Sequence, residues 1–204
     1  MRTLILVDIQ NDFLPGGALA VPRGDEVIPV ANRLQPAFDL VVATQDWHPA
    51  RHGSFASTRP GKKPGELAEL AGLPQVLWPD HCVQGSPGAE FAATLQMNRV
   101  EAIFRKGTDP AIDSYSGFFD NAHRKSTGLS GYLEGRGARE VYVLGLATDY
   151  CAKFTALDAR KLGFRTFLVE DGSRGVELRP GDVARAVQEM QEAGVTIVQS
   201  AQIG

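Results

Sequence analysis

Cysteine is scarce in this chain: two residues, Cys82 and Cys151, among 204. So small a number, so widely spaced, excludes a disulfide framework and indicates free thiols in a reducing compartment, which we take to be the cytoplasm. Long apolar runs are also absent. The stretch Leu4 to Val7 is broken by Asp8 and is too short for a signal peptide or a membrane span, so a soluble, unprocessed chain with no membrane partner is expected. Charge of one sign is missing as well: 21 Lys and Arg stand against 24 Asp and Glu, for a net charge of −3, and the basic residues are scattered. A nucleic-acid binder carries a basic patch, so that class is excluded and a small-molecule partner is expected. No repeat, low-complexity segment or Ser/Gly-rich linker divides the chain. Residues 1–204 therefore read as one domain, whose 43% hydrophobic content suffices for a covered central sheet.

What is present is a series of short, β-branched apolar runs: Thr3 to Val7, Leu40 to Thr44, Val100 to Phe104, Val141 to Leu146, Arg165 to Val169 and Val195 to Gln199. Continuous rather than alternating, they predict buried strands. Between some of them lie segments of helical period: Val27 to Leu34, Cys151 to Leu162, and Val183 to Met190, the last opening at Pro180-Gly181-Asp182 and stopping at Gly194. Strands alternating with helices imply right-handed crossovers. The expected fold is α/β, a doubly wound, mostly parallel sheet of about six strands with helices on both faces.

In such a sheet the ligand crevice lies past the carboxyl ends of the strands. Four of the predicted strands lead into reactive groups: Asp8; Asp46 with His48; Lys106; and Ala147-Thr148-Asp149-Tyr150 running to Cys151. A lone Asp after a strand commonly caps a turn, but four such ends together point to a site. Cys151 falls in the first turn of a helix, with Thr148 or Asp149 as N-cap, a placement that lowers a thiol pKa. The alternative for a free cysteine there is a small packing residue. Beside it, Lys106 would steady a thiolate, and Asp8 would take the thiol proton and deliver it to a departing amine.

Asp46 and His48, two apart in an extended segment, can face one side and chelate, and the Pro-rich loop Trp78-Pro79-Asp80-His81 offers a second imidazole. One Asp and two His suit a single divalent metal ion, zinc, iron or manganese with zinc favoured, and leave coordination positions open. His52 is read as a supporting or structural residue, and Cys82 as buried rather than a ligand.

These residues sit in longer matching stretches: Leu6-Val7-Asp8-Ile9-Gln10-Asn11-Asp12-Phe13, Thr44-Gln45-Asp46-Trp47-His48-Pro49, Trp78-Pro79-Asp80-His81-Cys82-Val83, Lys106-Gly107 with Tyr115-Ser116-Gly117-Phe118, and Gly145-Leu146-Ala147-Thr148-Asp149-Tyr150-Cys151. Through them, and over nearly its whole length, the chain resembles the nicotinamidase/pyrazinamidase family of isochorismatase-like cysteine hydrolases. The resemblance implies catalytic roles for Asp8, Lys106 and Cys151 and metal ligation by Asp46, His48 and His81. It also implies a cis peptide before Ala147, an oxyanion hole from the backbone N–H groups of Ala147 and Cys151, and Phe13 and Trp78 as walls around a pyridine ring. The implied activity is hydrolysis of nicotinamide to nicotinic acid and ammonia through a cysteine thioester, with pyrazinamide as a second substrate and NAD salvage as the setting. Some members of the family carry a further metal ligand, which the loop from Arg51 to Glu66 does not identify. Cys151 argues against the cysteine-free isochorismatase branch. Two other readings stay open: an amidohydrolase of the same superfamily acting on another small amide, and a non-catalytic metal or thiol sensor. The sequence also leaves a homo-oligomer open.

Overall fold

Extended backbone sends successive side chains to opposite faces, and in the first strand both faces are apolar. That strand, β1 (Arg2–Val7), buries Leu4 and Leu6 in one core cluster and Ile5 and Val7 in another. A strand covered on both faces belongs in the middle of a sheet flanked by helices. In the computed structural model, which describes residues 1–204, the elements that follow are α1 (Val27–Leu34), β2 (Leu40–Asp46), β3 (Leu67–Leu70), β4 (Leu73–Val76), β5 (Val100–Lys106), α2 (Leu129–Gly135), β6 (Glu140–Leu146), α3 (Lys153–Lys161), β7 (Arg165–Arg174), α4 (Asp182–Glu192) and β8 (Thr196–Val198). Six of the strands form one sheet in the order β5-β2-β1-β6-β7-β8, and all its pairings are parallel.

The α1 residues Val27, Ile28, Ala31 and Leu34 cover the Leu4/Leu6 face. On the Ile5/Val7 face lie Leu129 and Leu133 of α2, Ala156 and Ala159 of α3, and Met190 of α4. Each large aliphatic side chain so buried contributes roughly 1.5–3 kcal/mol. Helix α4 begins after Gly181 and the chain turns out of it at Gly194, both with positive φ, as the sequence predicts. No helix is long and apolar enough to cross a membrane.

The expected runs all form strands, but the outermost are not buried ones. Every second residue of β5 is exposed, Ile103 to 48%, because β5 is an edge strand. Strand β8, at the other edge, is likewise only partly covered. Strand β7 runs on to Arg174 past a register shift opposite Val143 and Gly145. The antiparallel hairpin β3–β4 and helix α2 were not expected at all.

The chain lays β2 and then β5 on one side of β1 before placing β6, β7 and β8 on the other. The reversal falls between β1 and β6, so the crevice opens beyond Val7 and Leu146.

Candidate active site

Asp8 is the first residue past β1, and there the chain turns, with φ of +49°. Its Oδ1 accepts a hydrogen bond from Thr44 Oγ1 at 2.6 Å. Its Oδ2 lies 2.8 Å from Lys106 Nζ as an ion pair but receives no aligned hydrogen bond, so a lone pair remains for a proton. Burial raises the Asp8 pKa, an effect that the Lys106 ammonium opposes.

Lys106 ends β5 with its side chain fully buried. Besides Asp8, its Nζ contacts Asp46 Oδ1 at 2.6 Å, Cys151 Sγ at 3.3 Å and the Ser114 carbonyl at 3.0 Å. Burial alone would discharge this ammonium, but Asp46 and Asp8 outweigh it and hold the Lys106 pKa well above the usual range.

Cys151 follows β6 through a cis Leu146–Ala147 peptide and a π-type turn, Thr148–Ala152. The Tyr150 and Ala152 N–H groups both donate to the Ala147 carbonyl, at 3.1 and 3.0 Å. Between them the Cys151 N–H has no partner among the turns and caps, nor has that of Ala147. Neither Thr148 nor Asp149 is the N-cap; Ala147 takes that place, without a side-chain bond. The Asp149 carboxylate is drawn instead to the Val176 and Glu177 N–H groups, at 2.9 and 2.8 Å. The expectation of a lowered thiol pKa is also overturned. Burial pushes Cys151 well above the ordinary thiol range, with Lys106 pulling it down and Asp8 and Asp46 pushing it up. A thiol so placed needs a base to activate it.

The second cluster adjoins the first. Asp46 Oδ2 lies 3.5 Å from His48 Nε2 and 3.8 Å from His81 Nε2. Each imidazole has its other nitrogen on a backbone carbonyl: His48 Nδ1 on Gly107 at 2.9 Å, His81 Nδ1 on Pro79 at 2.7 Å. Donation from Nδ1–H leaves both Nε2 lone pairs converging on the carboxylate, which is how protein metal sites orient histidine. The ligand atoms of Asp46, His48 and His81 all lie within 4.8 Å of one another.

The residues therefore fit a divalent metal. Without one, burial and His48 push His81 down to about 4, and burial also opposes charge on His48, which Asp46 nevertheless holds above its ordinary pKa. Burial would likewise raise Asp46, but Lys106 and His48 hold it far below the carboxylate range. His52 has both nitrogens engaged, with Ser54 Oγ at 2.7 Å and the Ile112 carbonyl at 3.3 Å, and its ring lies 4.4 Å from that of His48. Cys82 is buried and outside the Asp46 cluster.

One cavity joins Phe13, Trp78, Ala147 and Cys151 to Asp46, His48 and His81. Leu19, Asp113, Tyr115, Tyr150 and Val176 also line its wall, and no motif chemistry in the sequence marks them as site residues. A chain of hydrogen bonds braces that wall: Gln75 Nε2 donates to Asp113 Oδ2 at 2.9 Å and to Tyr115 OH at 3.0 Å, and Trp78 Nε1 donates to Tyr115 OH at 3.2 Å. The only signal for Tyr115 was its place in the matching stretch that ends at Phe118.

Residues 2–202 match the family model described as the isochorismatase domain. A nicotinamidase of Escherichia coli (strain K12) is 52% identical over 200 residues, which cover 96% of this chain and 93% of that protein. A solved nicotinamidase/pyrazinamidase of Acinetobacter baumanii superposes with a TM-score of 0.97 at 49% identity, covering 100% of this chain and 98% of that one. The pyrazinamidase of Pyrococcus horikoshii, solved in complex with zinc, gives a TM-score of 0.79 at 42% identity, covering 97% and 98%.

Proposed function

The chain belongs to the isochorismatase-domain family, and from that premise we propose that it is a nicotinamidase that also hydrolyses pyrazinamide. Its 204 residues would act as one domain, in the cytoplasm, as a step of NAD salvage. The observation that carries the reading is the buried contact set Asp8, Lys106 and Cys151, adjoining an aromatic-walled cavity that also contains Asp46, His48 and His81.

Asp8 takes the Cys151 proton on its free Oδ2 lone pair. Burial raises the Asp8 pKa, so the carboxylate is a better base here than in water, and Lys106 opposes the rise that burial gives the thiol. Lys106 touches donor and acceptor and steadies the negative charge as it passes from Asp8 to sulfur. Sγ attacks the carboxamide carbon, and the N–H groups of Ala147 and Cys151 receive the oxyanion. Asp8 returns the proton to the nitrogen, ammonia leaves, and a nicotinoyl thioester remains on Cys151. Asp8 then takes a proton from water, whose oxygen attacks the thioester; nicotinic acid leaves and the thiol is restored.

Phe13 and Trp78 flank the pyridine ring. When bound, a divalent ion on Asp46, His48 and His81, which we take to be zinc, supplies open coordination positions for a ring nitrogen or a water. An assay of ammonia release tests the proposal. Metal-loaded enzyme should release ammonia from nicotinamide and pyrazinamide, and Cys151→Ala should release none. A strong preference for another small amide would favour a different amidohydrolase; metal binding with no ammonia release would favour a sensor.

A further inference from the structure

Strand β1 ends two residues too early to support the end of β2. Its last pairing on that side is Val7 with Thr44, whereas β2 continues to Asp46. On the other side Asp46 is still paired, with Lys106 of β5. The side facing β1 is completed by a side chain. The fully buried Gln10 donates from Nε2 to the Asp46 carbonyl at 2.8 Å and accepts the Asp46 N–H on Oε1, also at 2.8 Å. The same Nε2 donates to the Ala89 carbonyl at 2.8 Å.

Gln10 is itself fixed. The turn at Asp8 brings the chain back, with the Gln10 N–H on the Asp8 carbonyl at 2.8 Å. Asn11 N donates to Glu90 O at 2.9 Å, and Ala92 N donates to Ile9 O at 3.0 Å.

We propose that Gln10 is a positioning residue: its carboxamide stands in for a missing strand, fixes the main chain of Asp46, and so holds the Lys106 ion pair and the metal-ligand cluster in register. The part that concerns the metal rests on the reading of Asp46 as a ligand. Asp46 serves neighbours on both oxygens at once, Lys106 Nζ at 2.6 Å from Oδ1 and the two imidazoles beyond Oδ2. Any backbone shift at Asp46 therefore displaces both. Metal ligation tolerates errors of only about ±0.2 Å, so the support has to be rigid. A carboxamide suits the task because it offers one acceptor and one donor. A carboxylate of the same shape would face two carbonyls with its own negative charge, and a thioether would fill the volume but satisfy neither Asp46 group.

The test compares wild type, Gln10→Met and Gln10→Glu by zinc affinity in chelator competition, by melting of the metal-free protein, and by kcat and KM at saturating zinc. Both variants should bind zinc at least ~10-fold more weakly. Their kcat should fall even at saturating zinc, with KM changing less. Leu133→Ala, in the core on the far face of the sheet, is the control for plain loss of stability and should keep zinc affinity within about twofold. If Gln10→Met does not fold, Gln10→Glu, which keeps the volume and the acceptor, decides alone. Zinc affinity in the Gln10 variants within about threefold of wild type, or a loss equalled by Leu133→Ala, overturns the proposal. Wild type that binds no zinc overturns instead the ligand reading on which it rests.

Discussion

Replacing Gly107 by Ala should empty the metal cluster without replacing any ligand. Gly107 follows β5 with φ of +64°, and a Cβ built on it would lie 2.4 Å from His48 Cε1 and 2.6 Å from His48 Nδ1. Carbon atoms settle about 3.5–4.0 Å apart, so the ring would have to retreat by roughly 1 Å. It has little room. Its Nδ1 is bonded to the carbonyl of Gly107 itself at 2.9 Å, and His52, Phe55 and His81 surround it with ring centroids 4.4, 5.5 and 4.9 Å away. A displacement of that size is about five times the tolerance of a metal bond. Loss of the orienting hydrogen bond alone lowers metal affinity roughly 10- to 100-fold, so at least ~100-fold is expected in total. The left-handed backbone adds about 1–2 kcal/mol of instability, or a few degrees of melting temperature. Gly137→Ala isolates that second cost, since Gly137 has φ of +73° and nothing within 4 Å of its Cβ position. Zinc titration against a chelator, with melting of both metal-free variants, is the assay. Equal zinc affinity in Gly107→Ala and Gly137→Ala would show that the collision with His48 does not matter and that the cluster is not a metal site.

Other outcomes follow from the same geometry. Thr44→Val removes the hydrogen bond to Asp8 Oδ1, a charge-assisted bond of the kind that contributes about 1.5–3 kcal/mol. Losing a donor to the charged form raises the Asp8 pKa, and because the carboxylate is the reactive form, the acidic limb of the kcat/KM profile should move to higher pH; a limb that stays in place would remove Asp8 as the base. Cys151→Ala should lose all turnover and keep its metal, and mass spectrometry of wild type quenched during turnover should find the nicotinoyl adduct on Cys151; an adduct on Cys82 would show the nucleophile to be misassigned. Benzamide lacks the ring nitrogen and should fall behind nicotinamide by roughly tenfold to a hundredfold in zinc-loaded enzyme, the cost of a polar partner left unmatched, and by less in stripped enzyme. Equal rates for the two amides would show that the metal does not read the ring.

The sheet was legible because its inner strands are unbroken apolar runs that end in Asp8, Asp46 and Ala147, and a parallel sheet places such ends together. What escaped depends on context. The runs Leu67–Leu70 and Leu73–Val76 are four residues each, the second contains Pro74, and only the positive φ of Ala71 and Gly72 closes them into a hairpin. Helix α2 carries Gly131 and Gly135, which weaken its local signal, and forms because Leu129 and Leu133 are buried against the sheet. The thiol pKa of Cys151 was not legible because position in a turn is visible in sequence, whereas burial beside two carboxylates is not. Gln75 and Asp113 are single polar residues on separate loops or strands, and nothing but the folded chain shows that they meet.

Asp46 is held at both ends, one oxygen on Lys106 and the other toward His48 and His81, with Cys151 Sγ less than 4.8 Å from its carboxylate. One charge therefore belongs to two equilibria. Whatever factor a bound cation applies to the proton affinity of the thiol, ionisation of the thiol must apply to the affinity for the cation, because linkage between two binding events is reciprocal. Metal content should then vary with pH through Cys151, a residue outside the ligand set.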